Sequence, residues 1–188
     1  MEVKNEQDIL LVRSIQEEGS DEAFEILYDR YSKRIYNFCL NYLGNEEDAG
    51  DCTQEVFIKV FRSIRGFRLN SSFYTWLYRI MINTCNDMSR KNKRKVFQQD
   101  LGQLSNIGSG EEPIESRLTS KEAMEAFQKA LGKMKANART ILILRDVEGR
   151  SYEEIAGICS CKTGTVRSRL ARARLSVAEK LKDFRDEM

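Results

Sequence analysis

Apolar residues recur along this chain every three or four positions, the spacing of one buried helix face. Ile9, Leu10, Val12 and Ile15 mark one segment, and Phe24, Leu27, Tyr28, Tyr31, Ile35 and Phe38 a second, so residues 9–43 are expected to be helical. Gly19-Ser20-Asp21-Glu22 separates the two, with Ser20 or Asp21 placed to cap the second, and Gly44-Asn45 ends it. A third helix, over 46–64, turns Ala49, Val56, Phe57, Val60 and Ile64 inward. A fourth, from Phe73 to about Lys93, does so with Phe73, Leu77, Ile80, Met81, Thr84 and Met88, after a loop over 66–72. From Gln98 to Arg117 the periodicity stops. That stretch holds three Gly and the only Pro, Pro113, and reads as a flexible linker. Helical spacing resumes after Thr119 with Met124, Phe127, Leu131, Met134, Ile141, Leu142 and Leu144. No strand-like alternation persists. The expectation is an all-α protein of two small helical domains, 1–97 and 119–188, joined by a linker over 98–118.

Composition narrows the chemistry. With 188 residues, 41% hydrophobic and 32% charged, the chain is neither low-complexity nor collagen-like. No run approaches the ~20 apolar residues of a membrane span, and Met1 to Asp8 lacks a signal-peptide core, so no membrane insertion and a cytoplasmic location are expected. There is no His, which removes His-based catalysis and His-ligated zinc together. No acidic cluster resembles a two-metal site and no P-loop occurs. No enzyme activity, small-molecule substrate, metal or cofactor is therefore expected. Five Cys without CxxC spacing point to a reducing compartment, Cys39, Cys52 and Cys85 reading as small core residues. Cys159-Ser-Cys161 is too short for an unstrained bridge; a redox role there is the lesser alternative.

The formal net charge of +2 conceals two basic clusters. Residues 89–97 carry Arg90, Lys91, Lys93, Arg94 and Lys95 and no acid, and residues 162–182 carry seven basic groups against Glu179 alone. Two phosphate-contacting surfaces would explain this, as would two solvated helix ends.

The second cluster falls on a recognisable unit. Ser151, with Glu154 three residues on, opens a short helix as a capping box would, and a turn at 159–162 leads to a helix from about Thr163. Val166, Leu170, Ala173 and Val177 share an inward stripe. Thr165, Ser168, Ala171 and Arg172 lie opposite, flanked by Arg167, Arg169 and Arg174. Small residues let a helix approach the major groove, and Arg grips phosphate or reads guanine. This helix–turn–helix is the expected duplex reader; a basic surface helix is the plainer alternative.

Two further faces stand out. On the third helix Asp51, Gln54, Glu55, Ile58 and Arg62 point outward, and an apolar Ile58 among charges suggests a protein contact, although a single exposed Ile is ordinary. On the fourth, Trp76, Arg79, Asn83, Asp87 and Arg90 form an outer stripe running into the basic cluster. An aromatic, an amide and guanidinium groups suit unstacked bases, at roughly 1–3 kcal/mol per stacked base. The alternative is a half-buried Trp76 beside solvated charges.

Together these motifs resemble bacterial sigma factors of the extracytoplasmic-function group of the sigma-70 family. The likeness rests on Asp51-Cys-Thr-Gln-Glu-Val-Phe-Ile-Lys-Val-Phe61, on Phe73-Tyr-Thr-Trp-Leu-Tyr-Arg-Ile80 with Asn83 and Asp87, and on Ser151-Tyr-Glu-Glu-Ile-Ala156 followed by Thr163 to Arg174. The resemblance implies that the face of Asp51, Gln54, Glu55, Ile58 and Arg62 docks on the clamp helices of the largest subunit of RNA polymerase, the second lobe meeting the flap. It implies that the loop with Phe67 and Arg68, together with Trp76, Arg79, Asn83, Asp87, Arg90 and Lys91, captures opened bases of the −10 element. Thr165, Arg167, Ser168, Ala171 and Arg172 would read the −35 duplex, and an anti-sigma factor would be a further partner. The two elements lie about 17 base pairs apart in the family, roughly 58 Å at ~3.4 Å per pair. A linker of about 20 residues has an r.m.s. span near ~25 Å and a limit of roughly 66–72 Å, so something must hold the chain extended. Weak binding of promoter DNA by the isolated protein is expected. The competing reading, a free-standing dimeric helix–turn–helix regulator, would require a tight dimer and a palindromic operator.

Overall fold

The structure, a computed structural model, describes residues 2–102 and 120–186, with side chains over 6–94 and 126–182. Among these residues there are eight α-helices and no strand: α1 (Glu2–Glu18), α2 (Asp21–Leu43), α3 (Glu46–Ser63), α4 (Phe73–Gly102), α5 (Ser120–Gly132), α6 (Ala136–Leu142), α7 (Tyr152–Cys159) and α8 (Thr163–Asp186). No described helix is long and apolar enough to cross a membrane.

Short polar residues set most boundaries. Of the two candidate caps for α2, Ser20 serves: its hydroxyl accepts from the Ala23 amide at 3.2 Å. Gly44, at φ 87°, closes the helix in the left-handed region that a Cβ would disfavour. The Asn45 side chain then accepts from the Asp48 amide at 2.7 Å to start α3, and Ser72 accepts from the Thr75 amide at 3.1 Å to start α4.

Three boundaries differ from the sequence expectation. α1 begins at Glu2 rather than near Ile9, its polar first turns showing no apolar period. Asp8 is nonetheless only 1% exposed, holding Arg30 at 2.5 Å and the Tyr31 hydroxyl. α4 runs on to Gly102, so the first five residues of the expected linker are helical; the rest of it, 103–118, lies outside the described residues. The segment after Ser120 is two helices broken at Lys133–Lys135, and α6 continues through a wider π turn, Ile143–Val147.

In the N-terminal lobe α2, α3 and α4 bury Ile35, Phe38, Val56, Val60, Leu77 and Met81, braced by α1, whose Gln16 donates to the carbonyls of Ile64 and Phe67 at 2.7 and 2.9 Å. The C-terminal lobe buries Leu131, Ile141, Ile143, Leu144, Ile155, Val166 and Leu170. At ~1.5–3 kcal/mol for each large apolar side chain, these contacts dominate the stability of both.

The lobes do not stand apart. One continuous apolar cluster runs through both. Tyr78, which the sequence pattern left off the inward face of α4, is fully buried because the second lobe covers it, and its hydroxyl donates to Glu148 at 2.9 Å. Arg150 lies over the Tyr74 ring at 4.9 Å and meets Glu148 at 3.3 Å. Arg139, 3% exposed, donates to the carbonyls of Tyr42 (3.0 Å), Gly132 (2.8 Å) and Met134 (3.3 Å), with its guanidinium 4.6 Å above the Tyr42 ring. Burial lowers its pKa, but a guanidinium remains charged regardless, so those carbonyls compensate a charge removed from water. We predict that Arg139→Ala, which orphans all three, costs about 2–4 kcal/mol in denaturant unfolding; a loss under ~1 kcal/mol would show that water replaces the side chain.

Candidate nucleic-acid interface

The helix–turn–helix forms as its sequence dictates. Ser151 Oγ accepts from the Glu154 amide at 3.1 Å while the Glu154 carboxylate accepts from the Ser151 amide at 2.8 Å. The turn depends on Ser160 at φ 50°, which lets the Cys161 amide reach the Ala156 carbonyl at 3.0 Å. Beyond it, Val166, Leu170, Ala173 and Val177 are all buried, and Arg167, Ser168, Ala171 and Arg172 are exposed, with Thr165 half-buried at their edge. The Arg167 guanidinium sits 5.5 Å over the Tyr152 ring, which joins α8 to α7 and limits its travel. Arg174 is taken by Asp146 in a two-pronged ion pair at 2.9 and 2.5 Å, so of the basic flank it is the least available. Burial pushes the Cys159 thiol up to about 11, which keeps it protonated near neutrality.

On α4 the exposed stripe is Arg79, Asn83, Asp87, Arg90 and Lys91, with Asp87 and Arg90 paired at 2.5 Å. Trp76 departs from the expected outward placement. It is half-buried, stacked on Phe67 at 4.8 Å and 26° and tilted against Phe73 at 5.8 Å. Phe67 is itself 8% exposed, not a free ring, while Arg68 beside it faces solvent. The helical wheel missed this because the partner ring arrives from the preceding loop. A single aromatic run thus supports residues 67–76 from beneath.

Arg79 is engaged as well. Its guanidinium donates to the carbonyls of Gly157 (2.6 Å) and Ile158 (3.3 Å), at the end of α7. A crevice of about 310 Å³ beside it is lined by Arg79, Asn83, Asn86, Asn137, Cys159 and Arg169, polar groups from both lobes. The end of α7, leading into the turn of the helix–turn–helix, therefore meets the α4 stripe at Arg79.

On α3, Asp51, Gln54, Ile58 and Arg62 are exposed, and Glu55 is half-buried beside Lys59 at 3.5 Å. Ile58 is not an isolated apolar residue: Phe61 is 55% and Tyr28 42% exposed in the same open groove of about 1080 Å³, with Phe57 and Arg62. The sequence pattern placed Tyr28 with the inward residues; its place at the edge of the α2 stripe explains the difference. A second cleft, of about 550 Å³ between α3 and α4, brings Asp51, Gln54, Glu55 and Ile58 against Asp87 and Lys91, so two faces read separately from sequence are neighbours.

A helical lobe with an exposed amide–guanidinium stripe and an apolar groove, packed on a helix–turn–helix, defines a two-headed DNA-binding protein. Residues 27–95 match sigma-70 region 2 and residues 124–177 match sigma-70 region 4. The chain is 36% identical over 183 residues to the RNA polymerase sigma-H factor of Pseudomonas aeruginosa, covering 94% of each. It is 34% identical over 181 residues to the ECF RNA polymerase sigma-E factor of Haemophilus influenzae, covering 93% of this chain and 95% of that one. Among solved structures it is similar to the sigma factor RpoE of Bartonella quintana, in complex with the anti-sigma factor NepR (TM-score 0.62, 28% identity, 85% of this chain and 96% of that one). The fold also matches CnrH, in complex with the cytosolic domain of CnrY (TM-score 0.69, 20% identity, 94% and 98%). The chain belongs to the extracytoplasmic-function group of the sigma-70 family and is a transcription initiation factor.

One local consequence is testable. Ser160 holds a left-handed conformation that glycine adopts without steric cost, so Ser160→Gly should raise stability by about 0.5–1 kcal/mol, read as a higher thermal midpoint. An unchanged or lower midpoint would mean that the hydroxyl or the added unfolded-state freedom outweighs the relief.

Proposed function

We propose that the two lobes divide promoter reading between them and that core RNA polymerase must separate them first. The observation that carries this is the Arg79 guanidinium on the Gly157 and Ile158 carbonyls. While that contact holds, the stripe of Arg79 and Asn83 is partly covered by the unit meant for the −35 duplex. Arg167, Ser168, Ala171 and Arg172, with Thr165 at their edge, present the duplex-reading face. Arg68, Arg79 and Asn83 take the opened −10 bases, while Arg90 and Lys91 grip backbone phosphate. The Phe67–Trp76 stack shapes the loop rather than receiving a base. Asp51, Gln54, Glu55, Ile58 and Arg62, extended by the exposed Phe61, form the polymerase-docking surface. Capturing unpaired bases shifts the melting equilibrium without nucleotide hydrolysis, so no chemistry of the chain's own is required.

The same reading accounts for partners and place. The Bartonella quintana relative is bound by an anti-sigma factor, and a protein of that kind would act here by holding the lobes together. The protein would work in the cytoplasm at the nucleoid, or be held at the membrane through such an inhibitor. A free-standing dimeric regulator is not favoured, because relatives matching over nearly the whole chain are initiation factors.

In gel shifts, the free protein should bind a cognate promoter weakly and the holoenzyme tightly; tight, specific binding by the free chain would refute the separation step. Within the holoenzyme, Asn83→Ala should reduce open-complex formation about tenfold or more while sparing closed-complex binding. Arg172→Ala should weaken closed-complex binding by a similar factor, each reflecting roughly 1–3 kcal/mol of base contact. Permanganate footprinting and filter binding separate the two effects.

A further inference from the structure

Neither DNA reading nor polymerase docking uses the three cysteines at the centre of the N-terminal lobe. Cys39 comes from α2, Cys52 from α3 and Cys85 from α4, and each is 0% exposed. The sulfurs of Cys39 and Cys52 each lie 3.6 Å from that of Cys85, and all three fall within 4.8 Å of one another. Three separate helices thus deliver one sulfur each to a common point. Thiolates held about 2.3 Å from a soft ion sit roughly 3.4–4 Å apart, for angles between pyramidal and planar, so the observed spacing needs little adjustment.

We propose that Cys39, Cys52 and Cys85 form a three-thiolate site for a soft trivalent ion of the arsenite type. Softness follows from an all-sulfur donor set. Three-coordination follows from what surrounds it: among the described residues no carboxylate joins the cluster, and the chain has no His to supply a fourth ligand. Valence follows from charge. Three thiolates around a trivalent centre are neutral, whereas a divalent ion leaves one buried negative charge and a monovalent ion two, each costly in this apolar setting. Uptake balances as As(OH)₃ plus three Cys–SH giving As(S–Cys)₃ plus three waters. Three S–As bonds replace three As–O bonds, no sulfur is oxidised, and no proton is released. The product ties α2, α3 and α4 together at the level of Asp51 on α3 and Asn83 on α4, linking a thiophilic poison to the elements that carry both N-terminal faces.

The test uses the full chain carrying Cys159→Ser and Cys161→Ser, reduced and titrated with sodium arsenite alone. One equivalent should bind, with growth of ultraviolet sulfur-to-arsenic absorption, and saturation should raise the thermal midpoint by about 5 °C or more. Cys39→Ala, Cys52→Ala and Cys85→Ala should each weaken binding at least tenfold. Because a core variant can fail to fold, X-ray absorption on the loaded protein supplies an independent count, expected to be three sulfurs and no oxygen. No saturable binding, undiminished binding in the triple alanine variant, a count of two sulfurs, or tighter uptake of Zn²⁺ in a parallel titration would each overturn the proposal. Failure here would leave the promoter-reading assignments untouched, since those are read by footprinting without arsenite.

Discussion

Helix α4 is the constraint around which this molecule is arranged, because it is packed from two sides. Its Phe73, Leu77 and Met81 side seals the N-terminal lobe, while Tyr78 is covered by the second lobe through Glu148 and the exposed Arg79 reaches the end of α7. A helix shared in this way cannot free the Arg79 guanidinium without giving up its contacts to the second lobe. Under the proposed separation step, readiness to bind DNA would be tied to the association of the two halves, which a few buried polar contacts and one apolar seam hold together.

The contacts at that seam differ in kind. Arg139 is a buried charge compensated by three carbonyls and an aromatic face, and removing a partner from such a group is more damaging than never having built it. Tyr78, Glu148 and Arg150 form a second polar knot, in which burial raises the pKa of the Glu148 carboxyl. A raised carboxyl pKa marks a site that favours the protonated form, so this group's contribution to the stability of the fold is full below the ordinary glutamate range and declines as pH rises through its folded value. Arg79, more exposed, is the contact most easily exchanged for a new partner.

Much of this was legible in the residues. The capping box of Ser151 and Glu154 and the stripe of Val166, Leu170, Ala173 and Val177 specify the helix–turn–helix locally, because every participant lies within one or two turns of its neighbour. The outward placement of Asp51, Gln54, Ile58, Arg79 and Asn83 followed from helical period alone. What escaped depended on partners distant in sequence. The Trp76 indole meets Phe67 across a loop, Tyr78 is buried by a lobe 70 residues further on, and the buried Asp8 is satisfied only by Arg30 and Tyr31 of the next helix. The three core cysteines read as small apolar residues one at a time. Only the packing of α2 on α3 and α4 reveals that they converge.

In the proposed separation step, the Arg79 contact would also set how the two forms respond to ionic conditions. Its partners are carbonyl dipoles at short range, which mobile ions screen little, whereas promoter binding displaces condensed counterions and weakens steeply with added salt. Rising ionic strength would therefore penalise the DNA-bound state far more than the shut one. Under the proposed separation step, concentrated electrolyte would thus favour the silent form without any inhibitor.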